Sequence, residues 1–296
     1  MTYAIGIDVG GTHIKGAACS PEGEIRCRQM HETIDGDMPH CTAAVRTMIA
    51  ELENACGAPA AAVGVAAPGL ARADGRAIEF MPGRLRGLEG FEWSTALGRE
   101  FAPVLNDGHA ALLGERWSGA ARGLNDVILL TLGTGVGGAI ISGGRLLRGA
   151  FGRAGHLGHI CLNPHGPPDI VGLPGSLEDA VGNATLTSRS GGGFSDTRAL
   201  IAAAEAGDET AANIWHESIR TLACGIASLV NILDPEAIIL GGGIAEAGDA
   251  LLQPLAATLD EVEWRPAGRR VQLRRATLGD FAGACGAAWN AIQSIK

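Results

Sequence analysis

Only two of the 23 basic residues are lysines, Lys15 and Lys296. A codon bias toward arginine accounts for the shortage, and it makes Lys15, set inside a glycine motif, worth noting. Gly-Lys-Ser and Gly-Lys-Thr occur nowhere, which excludes a Walker A phosphate loop. Cys-x-x-Cys is also absent, and the seven cysteines are odd in number and widely spaced. That excludes a disulfide framework and a paired-cysteine zinc site, and predicts reduced core thiols in a cytoplasmic protein. The N-terminus has neither the basic segment nor the apolar run of a signal peptide. The longest uncharged runs, 54–71 and 127–144, are broken by Pro59 and Pro68 and by six glycines, so neither reads as a membrane span. Positive charge is in deficit, with a net charge of −9, which speaks against nucleic acid or an anionic membrane as partner.

What is present is enough for a full core. The chain has 296 residues, 46% hydrophobic and 19% charged, which excludes disorder as its main state. Its 45 glycines are roughly twice the usual share of about 7%. They follow no Gly-X-Y period and gather in tight turns, where backbone comes close to something else.

The hydrophobic pattern predicts strands at 3–9, 13–20 and 25–31, a helix over 41–56, a buried strand at 61–66, a short helix over 93–101 and a strand at 103–106. A second run follows: a helix over 108–119, strands at 126–132, 139–142 and 145–147, and a mostly loop-like stretch over 151–193. Helices at 196–206 and 210–233, strands at 237–240 and 271–276 and a closing helix over 280–295 complete it. Each half opens with a glycine-bridged hairpin, Asp8-Val9-Gly10-Gly11-Thr12 and Gly133-Thr134-Gly135-Val136-Gly137-Gly138. Two related α/β halves facing each other predict a cleft that takes ligands.

Four stretches can carry chemistry. At Asp8–Lys15 an acid ends a strand before two glycines and Thr12; free N–H groups and a hydroxyl suit phosphate oxygens, and the carboxylate suits a divalent cation through water. An ordinary Gly-Gly hairpin with an acid at its mouth reads the same way. Gly133, Gly135 and Gly138 fit G-x-G-x-x-G, but a β-branched segment rather than a helix follows, so a phosphate-gripping hairpin turn fits better than a dinucleotide fold. Asn106-Asp107 lies where a strand gives way to a helix; Asp107 is either a helix cap or a general base, with Asn106 orienting a substrate hydroxyl. His156 and His159 stand three apart in a glycine-rich loop, a half-formed metal site or a polar ligand loop, and Glu178 reads as a first-turn carboxylate.

In order and spacing these stretches resemble the ROK family of sugar kinases and repressors, within the actin-like/hexokinase ATPase superfamily. The likeness covers the whole chain: Ile5–Gly16 resembles the first phosphate motif, Ala67-Pro68-Gly69 the sugar loop, Asn106-Asp107 the catalytic pair and Thr131–Gly138 the second phosphate motif. Gly155–His159 is similar to the Gly-Glu-x-Gly-His signature, Gly175–Glu178 to Gly-Cys-Leu-Glu, and Leu240–Ile244 to the adenosine-side turn.

The resemblance implies two actin-like (ribonuclease H-like) α/β domains around a central cleft, residues 1–106 plus 281–296 and residues 107–280. It implies a cytoplasmic kinase that moves the ATP γ-phosphoryl to a hexose hydroxyl, usually the 6-OH, with Asp107 as base. Asp8, Gly10, Gly11, Thr12, Lys15, Thr134, Gly135, Gly242 and Gly243 would bind ATP, with Mg²⁺ near Asp8 through water. Gly69, Asn106, His156, His159 and Glu178 would bind the sugar. Closure of the domains would exclude water, and a homodimer is the family default. The alternatives are a non-catalytic sugar-binding or sensor protein, or a kinase for an N-acetylhexosamine, fructose or allose; polyphosphate is a variant donor. The first phosphate motif begins at Ile5, so no DNA-binding module is expected.

Three positions depart from the family pattern. The signature Glu is His156. The three zinc cysteines are missing from 169–176, which predicts no structural zinc. The Pro-Asn after the sugar loop is Pro82-Gly83.

Overall fold

The computed structural model of the protein describes residues 2–33, 38–81 and 85–295, so Pro82-Gly83 lies outside the described residues. The chain forms β1 (Ala4–Val9), β2 (His13–Cys19), β3 (Ile25–Glu32), α1 (Met38–Cys56), β4 (Ala62–Ala67), β5 (Leu70–Ala71) and β6 (Ile78–Phe80). Then come α2 (Trp93–Leu97), β7 (Val104–Asn106), α3 (Asp107–Ser118), β8 (Val127–Leu132), β9 (Val136–Ser142), β10 (Arg145–Leu146), α4 (Leu177–Val181) and α5 (Asn183–Arg189). The rest is α6 (Thr197–Glu205), α7 (Glu209–Leu233), β11 (Ala237–Gly241), α8 (Asp249–Val262), β12 (Gln272–Arg275) and α9 (Ala282–Ser294).

The chain divides into two compact units. The first holds residues 1–123, 146–154 and 277–296, the second 124–145 and 155–276. The first unit thus runs on through α3 to Gly123 instead of stopping at Asn106. The reason is close packing of α3 on α9: a Cβ built on Gly286 would fall 1.7 Å from Ala110 O, and one on Gly114 2.4 Å from Ala282 O. Only glycine lets these backbones touch.

The first unit's sheet has the order β3-β2-β1-β4-β7, with β1 antiparallel to β2 and parallel to β4, and β4 parallel to β7. Its edge strand β3 alternates between half-buried and exposed residues, as an edge over a core must, while β1 and β4 are buried almost throughout. Helix α1 turns Cys41, Val45, Met48, Ile49 and Leu52 inward at helical spacing, onto Ile5, Ile7 and Val65. The second unit repeats the plan as β10-β9-β8-β11-β12. Its core is built on α7, capped by Asp208 accepting from Ala211 N, with Trp215, Ile219, Leu222, Ile226 and Leu229 turned inward.

Several elements differ from the sequence-based expectation. The helix expected to reach 101 ends at Leu97, stopped by Gly98 in the left-handed conformation at φ 62°. The stretch 151–193 contains α4 and α5. Helix α8 was not anticipated, because Pro254 sits inside it. Pro254 cannot donate to Ala250 O, and Trp215 Nε1 donates to that carbonyl instead, at 3.2 Å. Of the seven free cysteines, Cys19, Cys41 and Cys285 are buried, whereas Cys161 is exposed. Among the described residues, no helix is long and apolar enough to cross a membrane.

Candidate functional site

In each unit the motif residues gather where parallel strands end, the edge at which open α/β sheets bind ligands. In the first unit these are the carboxyl ends of β1, β4 and β7. After Asp8, β1 turns through Gly10, Gly11 and Thr12. Gly10 N donates to His13 O at 3.0 Å, Thr33 Oγ1 to Gly10 O at 2.8 Å and Thr33 N to Thr12 O at 2.9 Å. The carbonyls of the turn are therefore held from within. No hydrogen bond among the described residues takes the N–H of Gly11 or Thr12, which leaves donors for an anion.

Asp8 stands opposite Lys15 in the β1–β2 register. Lys15 Nζ donates to Asp280 Oδ1 at 2.9 Å, so this lysine, expected at the nucleotide, is engaged by a carboxylate beside α9. Gly283 of α9 makes room for Asp8: a Cβ there would fall 2.5 Å from Asp8 Oδ2. Burial, and then the facing charge of Asp107, push the Asp8 carboxyl up to about 7; Asp280 adds to this and Lys15 opposes it. Such an acid is a donor that a divalent cation would stabilise.

The raised value also fixes a pH dependence. The folded state holds a proton that the unfolded chain, with an ordinary aspartate near 3.8, has already lost. Stability therefore falls as pH rises from the unfolded value through about 7. Asp8→Asn is expected to flatten that slope and to melt above wild type at pH 8, measured by thermal denaturation without nucleotide or metal. A steeper slope in the variant would overturn the assignment.

Asn106, not Asp107, caps α3: its Oδ1 accepts from His109 N at 3.0 Å. Its Nδ2 donates to Gly69 O at 3.0 Å and to Asp107 Oδ1 at 2.9 Å, so both amide hydrogens and the oxygen are engaged inside the protein. Asn106 is buried and ties the Gly69 turn, where φ is 100°, to Asp107. Asn106 thus positions Asp107. Asp107 is exposed in the first turn of α3, and its Oδ1 also accepts from Gly108 N at 2.8 Å.

In the second unit β8 and β11 end side by side. The β8–β9 turn closes with Gly133 N donating to Gly135 O at 2.9 Å. The first N–H groups of α5, on Asn183 and Ala184, donate to Gly133 O at 2.9 Å and Thr134 O at 2.8 Å. The helix N-terminus thus holds the turn's carbonyls, and Thr134 stays exposed. Glu178, expected at the sugar, braces this turn through one oxygen: its Oε2 accepts from Val136 N at 3.0 Å, and a Cβ on Gly135 would fall 2.2 Å from it. Gly242, at φ 83°, lies so close to the end of β8 that a Cβ would fall 2.3 Å from Leu132 O. Beside Gly243 opens a cavity of 560 Å³, lined also by Asn183, Thr197, Arg198, Glu205 and Ile244. The sequence carried no signal for Asn183, Thr197 or Arg198.

His156 precedes a single 3₁₀ turn, Leu157–His159, and is half-buried. His159 Nδ1 lies 2.8 Å from Asp169 Oδ2. Asp169 Oδ1 accepts from Val171 N and Leu173 N, both at 2.9 Å. Burial works against the charge on Asp169, but the bonds from His159, Leu173 and Val171 outweigh it and hold the carboxyl below its ordinary value.

The profile of the ROK family matches residues 4–294. The chain belongs to the ROK family. Among its relatives, the glucokinase of Halalkalibacterium halodurans is 33% identical over 97% of this chain and 94% of the relative. The N-acetylmannosamine kinase of Escherichia coli is 33% identical over 96% of both chains. The ROK family glucokinase of Streptomyces griseus, solved in complex with glucose and AMPPNP, superposes with a TM-score of 0.80 at 30% identity, covering 98% of this chain and 99% of that one.

Proposed function

We propose that this chain, as a ROK-family sugar kinase, transfers the γ-phosphoryl of ATP to the 6-OH of a hexose, with Asp107 as the general base. The observation that carries the reading is the pair at the end of β7. Asn106 has no free hydrogen-bonding hydrogen and holds Asp107 Oδ1, so an exposed carboxylate stands in a fixed place at the start of α3. A primary alcohol is a weak nucleophile, and a carboxylate that takes its proton as attack proceeds makes it a competent one. In the first unit the Gly10–Thr12 turn offers N–H and hydroxyl donors to phosphate oxygens. In the second unit the Thr134–Gly135 turn offers the same, and the 560 Å³ cavity beside Gly243 is large enough for an adenosine. Mg²⁺, held by Asp8 through water, would neutralise charge on the β- and γ-oxygens.

The identity of the hexose turns on His156. A Glu accepts hydrogen bonds from two neighbouring hydroxyls, whereas a neutral imidazole offers one donor and one acceptor. A pocket without that carboxylate suits a sugar changed near the anomeric end. The N-acetylmannosamine kinase relative, as similar as the glucokinase, favours an N-acetylhexosamine as the second reading. A coupled assay of ADP release tests both, with glucose, mannose, fructose, allose and N-acetylated hexosamines, and with ATP or polyphosphate as donor. His156→Glu is expected to raise kcat/KM for glucose by roughly 5–100-fold relative to the best native substrate. An unchanged order of preference would remove His156 from sugar recognition, and no ADP release from any sugar would overturn the kinase reading.

A further inference from the structure

His159 and Asp169 are ten residues apart on a loop rich in proline and glycine. Among the described residues, no three His, Cys, Asp or Glu side chains stand close enough to hold a metal ion. What holds this loop is Asp169. Its side chain is wholly buried (0% exposed), and it gathers three donors from three places: the His159 ring and the Val171 and Leu173 N–H groups. The loop closes further through Asp169 N to Leu173 O and Gly172 N to Asp169 O, both at 2.9 Å.

The chemistry of the pair fixes more than the fold. An ionised carboxylate only accepts hydrogen bonds. The proton in the 2.8 Å contact therefore sits on His159 Nδ1, which in a neutral imidazole leaves the lone pair on Nε2. No hydrogen bond among the described residues uses Nε2, and the ring is 26% exposed. Asp179, in the first turn of α4, is the other carboxylate felt here; burial and then Asp169 push its carboxyl up, opposed by His159 and Arg189. Arg189 is itself engaged with Ser218 Oγ at 2.8 Å and with Gly182 O and Thr185 Oγ1 at 3.2 Å. Asp169 is thus the carboxylate that orients the imidazole.

We infer that Asp169 is a positioning residue that clasps the loop without a metal and locks His159 in its Nδ1–H tautomer, so that Nε2 accepts a hydrogen bond from a sugar hydroxyl. The sugar contact rests on the reading of His159 given above. The tautomer and the metal-free clasp rest on the geometry alone.

The test combines ¹⁵N-histidine NMR of the full chain with kinetics on D-glucose and N-acetyl-D-mannosamine. Wild type is expected to show one histidine with the Nδ1–H pattern, absent from His159→Gln. Asp169→Asn preserves volume but turns an amide hydrogen toward Nδ1, so the ring is expected to switch to Nε2–H. The sugar KM should then rise roughly tenfold with the ATP KM unchanged, the loss of one hydrogen bond. Asp169→Glu keeps a carboxylate and is expected to retain the Nδ1–H signal and most of the affinity; it carries the test if the Asn variant does not fold. An Nε2–H ring in wild type, or an unchanged sugar KM in a folded Asp169→Asn enzyme, would overturn the inference. About one zinc per chain in protein purified without added metal would overturn the metal-free clasp. A His159→Gln enzyme with an unaltered sugar KM would instead overturn the sugar contact on which the second half rests.

Discussion

Asp107→Asn is expected to lower kcat by about 10²–10⁴-fold, the usual contribution of a positioned general base. Binding of sugar and nucleotide should change far less. The substitution is close to isosteric, and an amide oxygen can still accept from Asn106 Nδ2 and Gly108 N, so the start of α3 keeps its shape. Asn106 retains the cap, so the helix loses little stability. What disappears is the carboxylate proposed to take the hydroxyl proton. Titration calorimetry beside steady-state kinetics separates the two effects. The same variant has a second readout: the charge of Asp107 helps hold the Asp8 carboxyl up at about 7, so its removal should bring Asp8 down. Near-normal turnover in the variant would leave Asp107 as a first-turn acid and nothing more.

The contrast between Asp107 and Asn106 shows what a sequence can and cannot say about this site. An acid following a strand and preceding a helix marks the right place, because the helix N-terminus demands an acceptor. Two adjacent acceptors leave open which one caps and which one faces outward, and the backbone turn decides it. The glycine turns at Gly10 and Gly135 were legible because glycines clustered after an apolar strand mark a turn. The partners that fix the neighbouring side chains were not. Lys15 and Asp280 are separated by 265 residues, and Glu178 and Val136 by 42, so no local pattern announces either pair. Among the elements, α7 was legible because its apolar spacing runs unbroken over 25 residues. Helix α8 was hidden by Pro254, whose cost is offset by Trp215, a residue of another helix. Helix α5, Asn-Ala-Thr-Leu-Thr-Ser-Arg, is only seven residues long and has weak helix formers at four of them, Asn183, Thr185, Thr187 and Ser188. Its first N–H groups are satisfied by Gly133 O and Thr134 O, so tertiary contact rather than propensity makes it a helix.

Glu115 passed without notice in the sequence and carries the largest expected loss of stability. It is a fully buried acid of α3, 0% exposed, with four donors on its two oxygens. Oε1 accepts from Thr277 N at 2.9 Å and Leu278 N at 2.8 Å; Oε2 accepts from Ala120 N at 2.7 Å and Thr277 Oγ1 at 3.2 Å. The chain first leaves this unit after Gly123, comes back to it over 146–154, and returns for the last time at Thr277, so one carboxylate binds the segment just before the first departure and the segment just after the last return. Gly119 leaves space for it, since a Cβ there would fall 2.1 Å from Oε2. Glu115→Ala removes the acceptor of three backbone N–H groups at once, on half-buried Ala120 and Leu278 and on exposed Thr277. Each stranded donor costs about 1–3 kcal/mol before water or local shifts relieve it, and a net loss of about 3–5 kcal/mol is expected. Glu115→Gln keeps one accepting oxygen but points an NH₂ at donors, so a loss of about 1–3 kcal/mol is expected there. Thr277→Val removes only the 3.2 Å hydroxyl bond and should cost about 1 kcal/mol or less. Urea denaturation of the three variants gives the order directly. If Glu115→Ala unfolded within about 1 kcal/mol of wild type, the buried carboxylate would not be what joins α3 to the returning chain.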